Sequence, residues 1–114
     1  MHEIGTLYEI VKSVEKVAID NHAQKVEFIE LDLGELTGML PIFFEKYYPI
    51  VIEERPLFKN SSLKINEIKG EGVCNNCGKH YNIRQYEGTC PKCSSRDKQI
   101  LSGRELLIKQ IGII

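Results

Sequence analysis

Four cysteines carry the clearest chemical signal in the sequence. They form two pairs, Cys74 with Cys77 and Cys90 with Cys93, and twelve residues separate the pairs. Two such pairs at this spacing are typical of a tetrahedral four-thiolate zinc site with Zn–S bonds of about 2.3 Å. Gly78, directly after the first pair, favours the tight turn that brings two sulfurs to one ion. We therefore expect these four thiolates to be the ligands of one zinc ion.

Other uses of the four cysteines are two disulfides or four unrelated thiols. Iron in a rubredoxin-like site is the leading metal alternative, because tetrahedral thiolates accept either metal. With sulfur at all four positions, no open position remains for water. We therefore expect a structural site rather than a catalytic one.

A second candidate metal site lies at the start of the chain, which reads "MHE". The amine of Met1, the backbone nitrogen of His2 and the ring of His2 can close small chelate rings around one ion, and the amide or carboxylate of Glu3 can fill a fourth corner. Such nitrogen-rich, square-planar coordination favours Ni(II) or Cu(II). The alternative is a solvated His2, with Glu3 offsetting the dipole of the first helix.

The elements that position these residues follow from hydrophobic periodicity. An amphipathic helix is predicted from Ile4 to Ala18, and its first turns are expected to pack into the core through Ile4 and Leu7. The residues of its apolar stripe are Ile4, Leu7, Val11, Val14 and Ala18. Residues Lys25–Leu33 alternate and predict a strand. Its phase slips at Phe28–Ile29, which indicates either a bulge or a strand covered on both faces.

A second helix is predicted to begin at Pro41, where the missing N–H costs little, and to continue to Ile52. Pro49 is expected to kink or end it. Its bulky core side chains are expected to be Phe43, Phe44, Tyr47 and Tyr48. Further strands are predicted at Ser62–Ile68 and within Glu105–Ile114.

The segment Gly72–Ser102 differs in composition from the rest of the chain. It has few branched aliphatic residues and contains all four cysteines, so a metal must supply its folding free energy. The predicted class is α+β: a small three-stranded sheet with two helices, plus an inserted zinc-knuckle domain. The predicted domains are 1–71 with 103–114, for nickel binding, and 72–102, for zinc.

The overall charge and composition narrow the classes of function. The pI is about 6.3 and the net charge is -1, which argues against a dedicated nucleic-acid binder. We find neither an apolar run long enough for a membrane helix nor a signal peptide. Free thiols persist in the cytosol, so a cytoplasmic location is expected. His80 is interpreted as solvent-exposed, because a four-cysteine site needs no further ligand.

Taken together, these motifs resemble the HypA/HybF family of hydrogenase nickel-incorporation proteins. The resemblance rests on "MHE", "LDLGELTG", "CNNCG…CPKC" and "SGRELLIKQI", in that order over nearly the whole length. It implies a metallochaperone rather than an enzyme, with His2, and Glu3 beside it, at the nickel site. It also implies zinc ligands at Cys74, Cys77, Cys90 and Cys93.

The partners that the resemblance implies are a HypB-type GTPase and the precursor of the [NiFe]-hydrogenase large subunit. Because some relatives also serve urease, urease maturation proteins are further candidates. The rival interpretation is a zinc-ribbon module that binds protein or RNA, in which "MHE" is incidental. The two differ in the number of metal ions expected per chain and in the importance of His2.

Overall fold

A computed structural model describes residues 2–114. In chain order its elements are α1 (Glu3–Asp20), β1 (Val26–Gly34), α2 (Pro41–Val51), β2 (Ser62–Ile68), β3 (Glu71–Cys74), β4 (His80–Asn82), β5 (Lys98–Ile100) and β6 (Leu106–Ile113). Short 3-10 turns occupy Glu35–Thr37 and Pro56–Phe58. The predicted helices and strands are therefore present, and the cysteine-rich segment contains three further strands that the sequence did not indicate.

The chain packs as two compact units. The first, called here the helix–sheet unit, consists of Met1–Asp32, Met39–Asn66 and Leu107–Ile114; the second, the cysteine unit, consists of Leu33–Gly38 and Glu67–Leu106. Strands β1, β2 and β6 pair in the order β2–β1–β6, and β3, β4 and β5 pair in the order β4–β3–β5. The cysteine unit thus includes the predicted insert together with short flanking segments.

Helix α1 buries a stripe that differs from the predicted one at its first turn. Leu7, Val11 and the other expected positions from there to Ala18 are buried, and Ile10 is buried as well. Ile4, however, is 48% exposed, and Glu3 is buried in its place, at 2%. Once Ile10 belongs to the stripe, Glu3 lies nearer the centre of the buried face than Ile4 does. The prediction that Ile4 packs into the core was therefore wrong.

Helix α2 begins at Pro41, as predicted, and continues two residues past Pro49 to Val51. Phe44 and Tyr48, one turn apart, are buried in the core. Phe43 and Tyr47 are only half-buried, and their rings stack on each other with centroids 6.3 Å apart. Only two of the four aromatic residues expected in the core are thus fully part of it, because the four side chains spread over a wider arc of the helix than its buried face.

Strand β1 lies in the centre of its sheet and is covered on both faces. Ile29 and Leu31 are fully buried on one face, and Glu30, on the other, is only 6% exposed. The Glu30 carboxylate accepts hydrogen bonds from Asn66 Nδ2 at 2.7 Å and from Gln110 Nε2 at 2.6 Å. Side chains from both neighbouring strands therefore cover this face, which accounts for the phase slip in the sequence.

In the cysteine unit, β3 pairs antiparallel with both β4 and β5. Gly72 lies opposite Tyr81 on one side and Ile100 on the other, and Cys74 lies opposite Lys98. This small sheet fixes the position of the first cysteine. Among residues 2–114, no helix is both long and apolar enough to cross a membrane. The predicted α+β class with a zinc-knuckle unit is confirmed.

Candidate metal centre

The two cysteine pairs sit in turns with the same backbone hydrogen bonds. In the first, the Cys74 carbonyl accepts from Gly78 N–H at 2.9 Å, and Cys74 N–H donates to the Lys79 carbonyl at 2.8 Å. In the second, the Cys90 carbonyl accepts from Ser94 N–H, and Cys90 N–H donates to Ser95, both at 2.9 Å. The two cysteine pairs of the sequence therefore form two knuckles with the same backbone hydrogen-bond pattern.

Each knuckle needs a left-handed residue directly after its second cysteine. Gly78 has φ +79° and Ser94 has φ +66°. Glycine adopts this conformation without steric cost, whereas a residue with a Cβ does so less readily. The predicted role of Gly78 in the first turn is therefore explained, and Ser94 fills the equivalent position in the second knuckle at some conformational cost.

The turns gather all four sulfurs at one place. The Sγ atoms of Cys74, Cys77, Cys90 and Cys93 all lie within 4.8 Å of one another. Sγ of Cys74 is 3.5 Å from that of Cys93, and Sγ of Cys77 is 3.5 Å from that of Cys90. The edge of a tetrahedral Zn–S₄ site is about 3.8 Å, whereas a disulfide is about 2.05 Å.

All four cysteines are free thiols, so the disulfide alternative is wrong. Four soft sulfur donors that all lie within 4.8 Å of one another fit a zinc ion. When bound, such an ion supplies folding free energy rather than a reactive water, because sulfur occupies every position.

Polar contacts to the sulfurs shift their pKa values in different directions. The pKa of Cys93 is lowered to about 6, first by the hydrogen bond from the Asn76 side chain and then by the Ser95 backbone N–H. The Lys79 N–H acts to lower the pKa of Cys77, but burial and bonds to the other three thiols raise it to about 11. The lowered pKa favours the thiolate form of Cys93, and the thiolate is the form of cysteine that binds a metal.

Asn76 is a residue of this site that the sequence reasoning missed. Its Nδ2 donates to Cys93 Sγ at 3.4 Å, and its backbone N–H donates to Cys74 Sγ at the same distance. The available signal was a polar amide inside the "CNNC" knuckle. His80 is exposed on β4 and is not among the side chains that converge with the sulfurs, which agrees with its interpretation as a solvent-exposed residue.

At the other candidate site, His2 is the residue that precedes α1. It is exposed, and its side chain does not cap the helix. Its carbonyl accepts a hydrogen bond from Thr6 N–H at 3.0 Å, which closes the first helical turn. The ring therefore projects from an ordered turn with its nitrogens not committed to capping. Met1, whose amine is predicted to join the site, lies outside the described residues.

Glu3 has a different environment from His2. One oxygen of its buried carboxylate accepts the Leu40 N–H at 3.1 Å, just before α2. Burial acts to raise the pKa of Glu3, but hydrogen bonds from the backbone N–H groups of Leu40 and of Glu3 itself outweigh it, and the pKa is lowered. The carboxylate thus ties the start of α1 to the start of α2. Its predicted role as a nickel ligand stays a prediction.

An α+β unit together with a four-thiolate knuckle unit defines a small metal-binding protein. A family model described as "Hydrogenase/urease nickel incorporation, metallochaperone, hypA" matches residues 1–113. The chain therefore belongs to the HypA family of metallochaperones, and the family inferred from the motifs is confirmed.

Relatives and solved structures agree with this assignment. A hydrogenase maturation factor HypA from Rhizobium leguminosarum bv. viciae is 32% identical, with all of both chains covered. Another, from Chlorobium luteolum, is 34% identical over 99% of this chain and 96% of its own length. A solution structure of the Ni metallochaperone HypA from Helicobacter pylori has a TM-score of 0.69 at 27% identity, covering 100% of this chain and 98% of that one.

Proposed function

We propose that the chain binds Ni(II) at its N-terminus and delivers it, with a HypB-type GTPase, to the precursor of the hydrogenase large subunit. The coarser function follows from the family, which serves nickel incorporation into hydrogenase or urease. The observation that carries the N-terminal site is the exposed His2 at the head of an ordered helix. Its ring and backbone nitrogen, with the Met1 amine, offer the donors that Ni(II) prefers.

Anchoring of the helix supports this site. If the terminus were frayed, nickel binding would have to order it first, and the cost in free energy would weaken the affinity. Here Leu7 is fully buried one turn after Glu3, and the Glu3 carboxylate is hydrogen-bonded to Leu40. The residues that follow His2 are therefore held in place, while His2 itself remains accessible. The same arrangement lets a partner reach the ion.

The zinc site and the division of the chain complete the proposal. Cys74, Cys77, Cys90 and Cys93 hold a structural zinc ion in the domain 72–102, and 1–71 with 103–114 form the nickel-binding domain. The convergence of the four sulfurs supports the first part. Free thiols of this kind persist in a reducing compartment, which supports a cytoplasmic location and cytoplasmic partners, including urease maturation proteins where urease is present.

Nickel delivery then requires that the ion can leave. Protons compete with nickel for ring and backbone nitrogens, so the affinity falls as the pH falls. The nickel donors are consecutive in the chain. A partner that displaces the first turn of α1 would therefore disturb all of their bonds to nickel at once.

Isothermal titration of Ni²⁺ into zinc-loaded, tag-free protein tests the proposal. Wild type, His2→Ala and His22→Ala are compared, since His22 is also exposed but lies far from the terminus in sequence, just after α1. We expect tight binding of one nickel ion in wild type and His22→Ala, and none in His2→Ala. Equal binding by all three, or by none, would contradict the N-terminal site and favour the zinc-ribbon interaction module.

A further inference from the structure

Asn76 makes two hydrogen bonds to sulfur, one within its own knuckle and one across to the other. Its backbone N–H donates to Cys74 Sγ, two residues earlier, and its side-chain Nδ2 donates to Cys93 Sγ, seventeen residues later. Both donor–acceptor distances are 3.4 Å. The side-chain bond is thus a cross-link between the two halves of the four-cysteine site.

The sulfur that the Asn76 side chain contacts is one of the more accessible ones. Cys74 and Cys90 are buried, whereas Cys77 and Cys93 are only partly buried. A four-thiolate zinc site carries two net negative charges, and a donor directed at a thiolate both stabilises this charge and orients the ligand. The Asn76 side chain therefore donates to one of the two sulfurs of the site that are more accessible to water, protons or a chelator.

We propose that Asn76 is a positioning residue of the four-cysteine metal site. The hydrogen bond from its side-chain amide links the second knuckle to the first and slows the release of the ion. The inference rests on the proposed binding of a metal by these cysteines. It adds a determinant of metal retention that lies outside the four ligands.

The neighbouring asparagine provides a matched control. Asn75 is the same residue type, is likewise exposed, and also donates its Nδ2 across to the second knuckle region. Its acceptor, however, is Asp97 Oδ1 at 3.1 Å, and its backbone N–H donates to the Asp97 carbonyl at 3.0 Å. Truncation of Asn75 thus removes a cross-link of similar geometry that ends on oxygen instead of sulfur.

Direct detection of the bond uses ¹¹³Cd in place of zinc. Protein with ¹¹³Cd at the four cysteines and ¹⁵N in its amides is examined by NMR. We expect a scalar coupling between ¹¹³Cd and the side-chain amide protons of Asn76, transmitted through the N–H···S bond, and none to those of Asn75. A purely steric role for Asn76 would give no such coupling, and its absence would overturn the proposal.

Variants then measure the consequence of the bond for metal release. Asn76→Ala removes the donor, and Asn76→Asp replaces it with a negative oxygen beside the thiolate. Since loss of outer-shell partners typically weakens metal binding about 10–100-fold, we expect zinc transfer to a chromogenic chelator to accelerate by about tenfold or more in Asn76→Asp. Asn76→Ala should fall between this variant and wild type, and Asn75→Ala should match wild type.

The measurements separate failure of this proposal from failure of the metal site itself. The metal content of wild type is determined first, and a value far below one ion per chain would count against the four-cysteine site. With one ion per chain present, equal transfer rates for Asn76→Asp and Asn75→Ala would overturn the role of Asn76 alone. An Asn76→Asp protein that retains no metal would support it, provided that Asn75→Ala retains one ion.

Discussion

The two units of the chain are built around different kinds of interior. The helix–sheet unit has an apolar core in which Leu7, Ile29 and Phe44 are fully buried. The buried cluster of the cysteine unit consists of Cys74, Cys90 and Tyr81. Complete burial of a large aliphatic or aromatic side chain contributes about 1.5–3 kcal/mol, so this small cluster supplies little by comparison.

The difference shows how one short chain combines two sources of folding free energy. The helix–sheet unit draws on the hydrophobic effect, and the nickel site proposed at its start needs only an anchored helix. The cysteine unit is expected to depend on the proposed metal–sulfur bonds; the apparent free energy of zinc binding in zinc-finger peptides is about 10–16 kcal/mol. We therefore expect perturbations that are severe for one unit to leave the other largely unchanged.

The largest expected effect is the loss of one thiolate. Cys90→Ser removes a buried ligand, so the protein should lose its zinc, and the amide resonances of β3, β4 and β5 should collapse toward unfolded positions while those of α1 and α2 persist. Metal analysis and ¹H–¹⁵N NMR check this. Lys92→Ala, an exposed change in the same knuckle, is the control. A fully folded cysteine unit without metal would contradict the comparison.

The reverse perturbation is a cavity in the helix–sheet unit. Phe44→Ala should lower the free energy of unfolding by about 3–5 kcal/mol, because Phe44 is fully buried in the core. Urea denaturation of the zinc-loaded protein measures this change, and the zinc content should stay at one ion per chain. Phe43→Ala, at the half-buried neighbouring position, should cost clearly less. Loss of zinc together with the helices would show that the units are not separable.

A smaller effect is expected from pH in the helix–sheet unit. Hydrogen bonds from Asn66 and then from Gln110 lower the pKa of Glu30 below its usual value of 4.5. Because the folded-state pKa is the lower one, Glu30 contributes stability that is present above about pH 4.5 and is lost as the pH falls through the folded-state pKa. Denaturation curves at several acidic pH values should therefore show a stability loss in wild type that Glu30→Gln reduces.

The exposed neighbour Glu27, on the same strand, provides the control for this experiment. Glu27→Gln should keep the acid dependence of wild type. If Glu30→Gln and Glu27→Gln have the same pH profile, the hydrogen bonds of Glu30 do not contribute to the stability of the sheet. Zinc should be released at a pH set by proton competition for the thiolates, independently of either change.

Local spacing in the sequence was enough to predict much of this molecule. The two C-x-x-C pairs predicted the metal site, because a knuckle is closed by hydrogen bonds only four and five residues apart, such as those of Cys74. Periodicity likewise predicted α1 and β1. The strands β3, β4 and β5 were not predicted, because β4 and β5 span only three residues each and lack a long apolar alternation.

Tertiary packing decided the features that depend on residues distant in the chain. Whether Glu3 or Ile4 is buried was settled by the approach of the α2 start, where Leu40 offers its N–H thirty-seven residues away. Likewise, the order of the residues did not predict which atom in the other knuckle accepts the hydrogen bond from the Asn76 side chain. The sequence by itself determined which donors the protein carries and which elements hold them. Only the folded chain decided which polar groups meet, because a buried polar group must find a hydrogen-bond partner wherever packing places one.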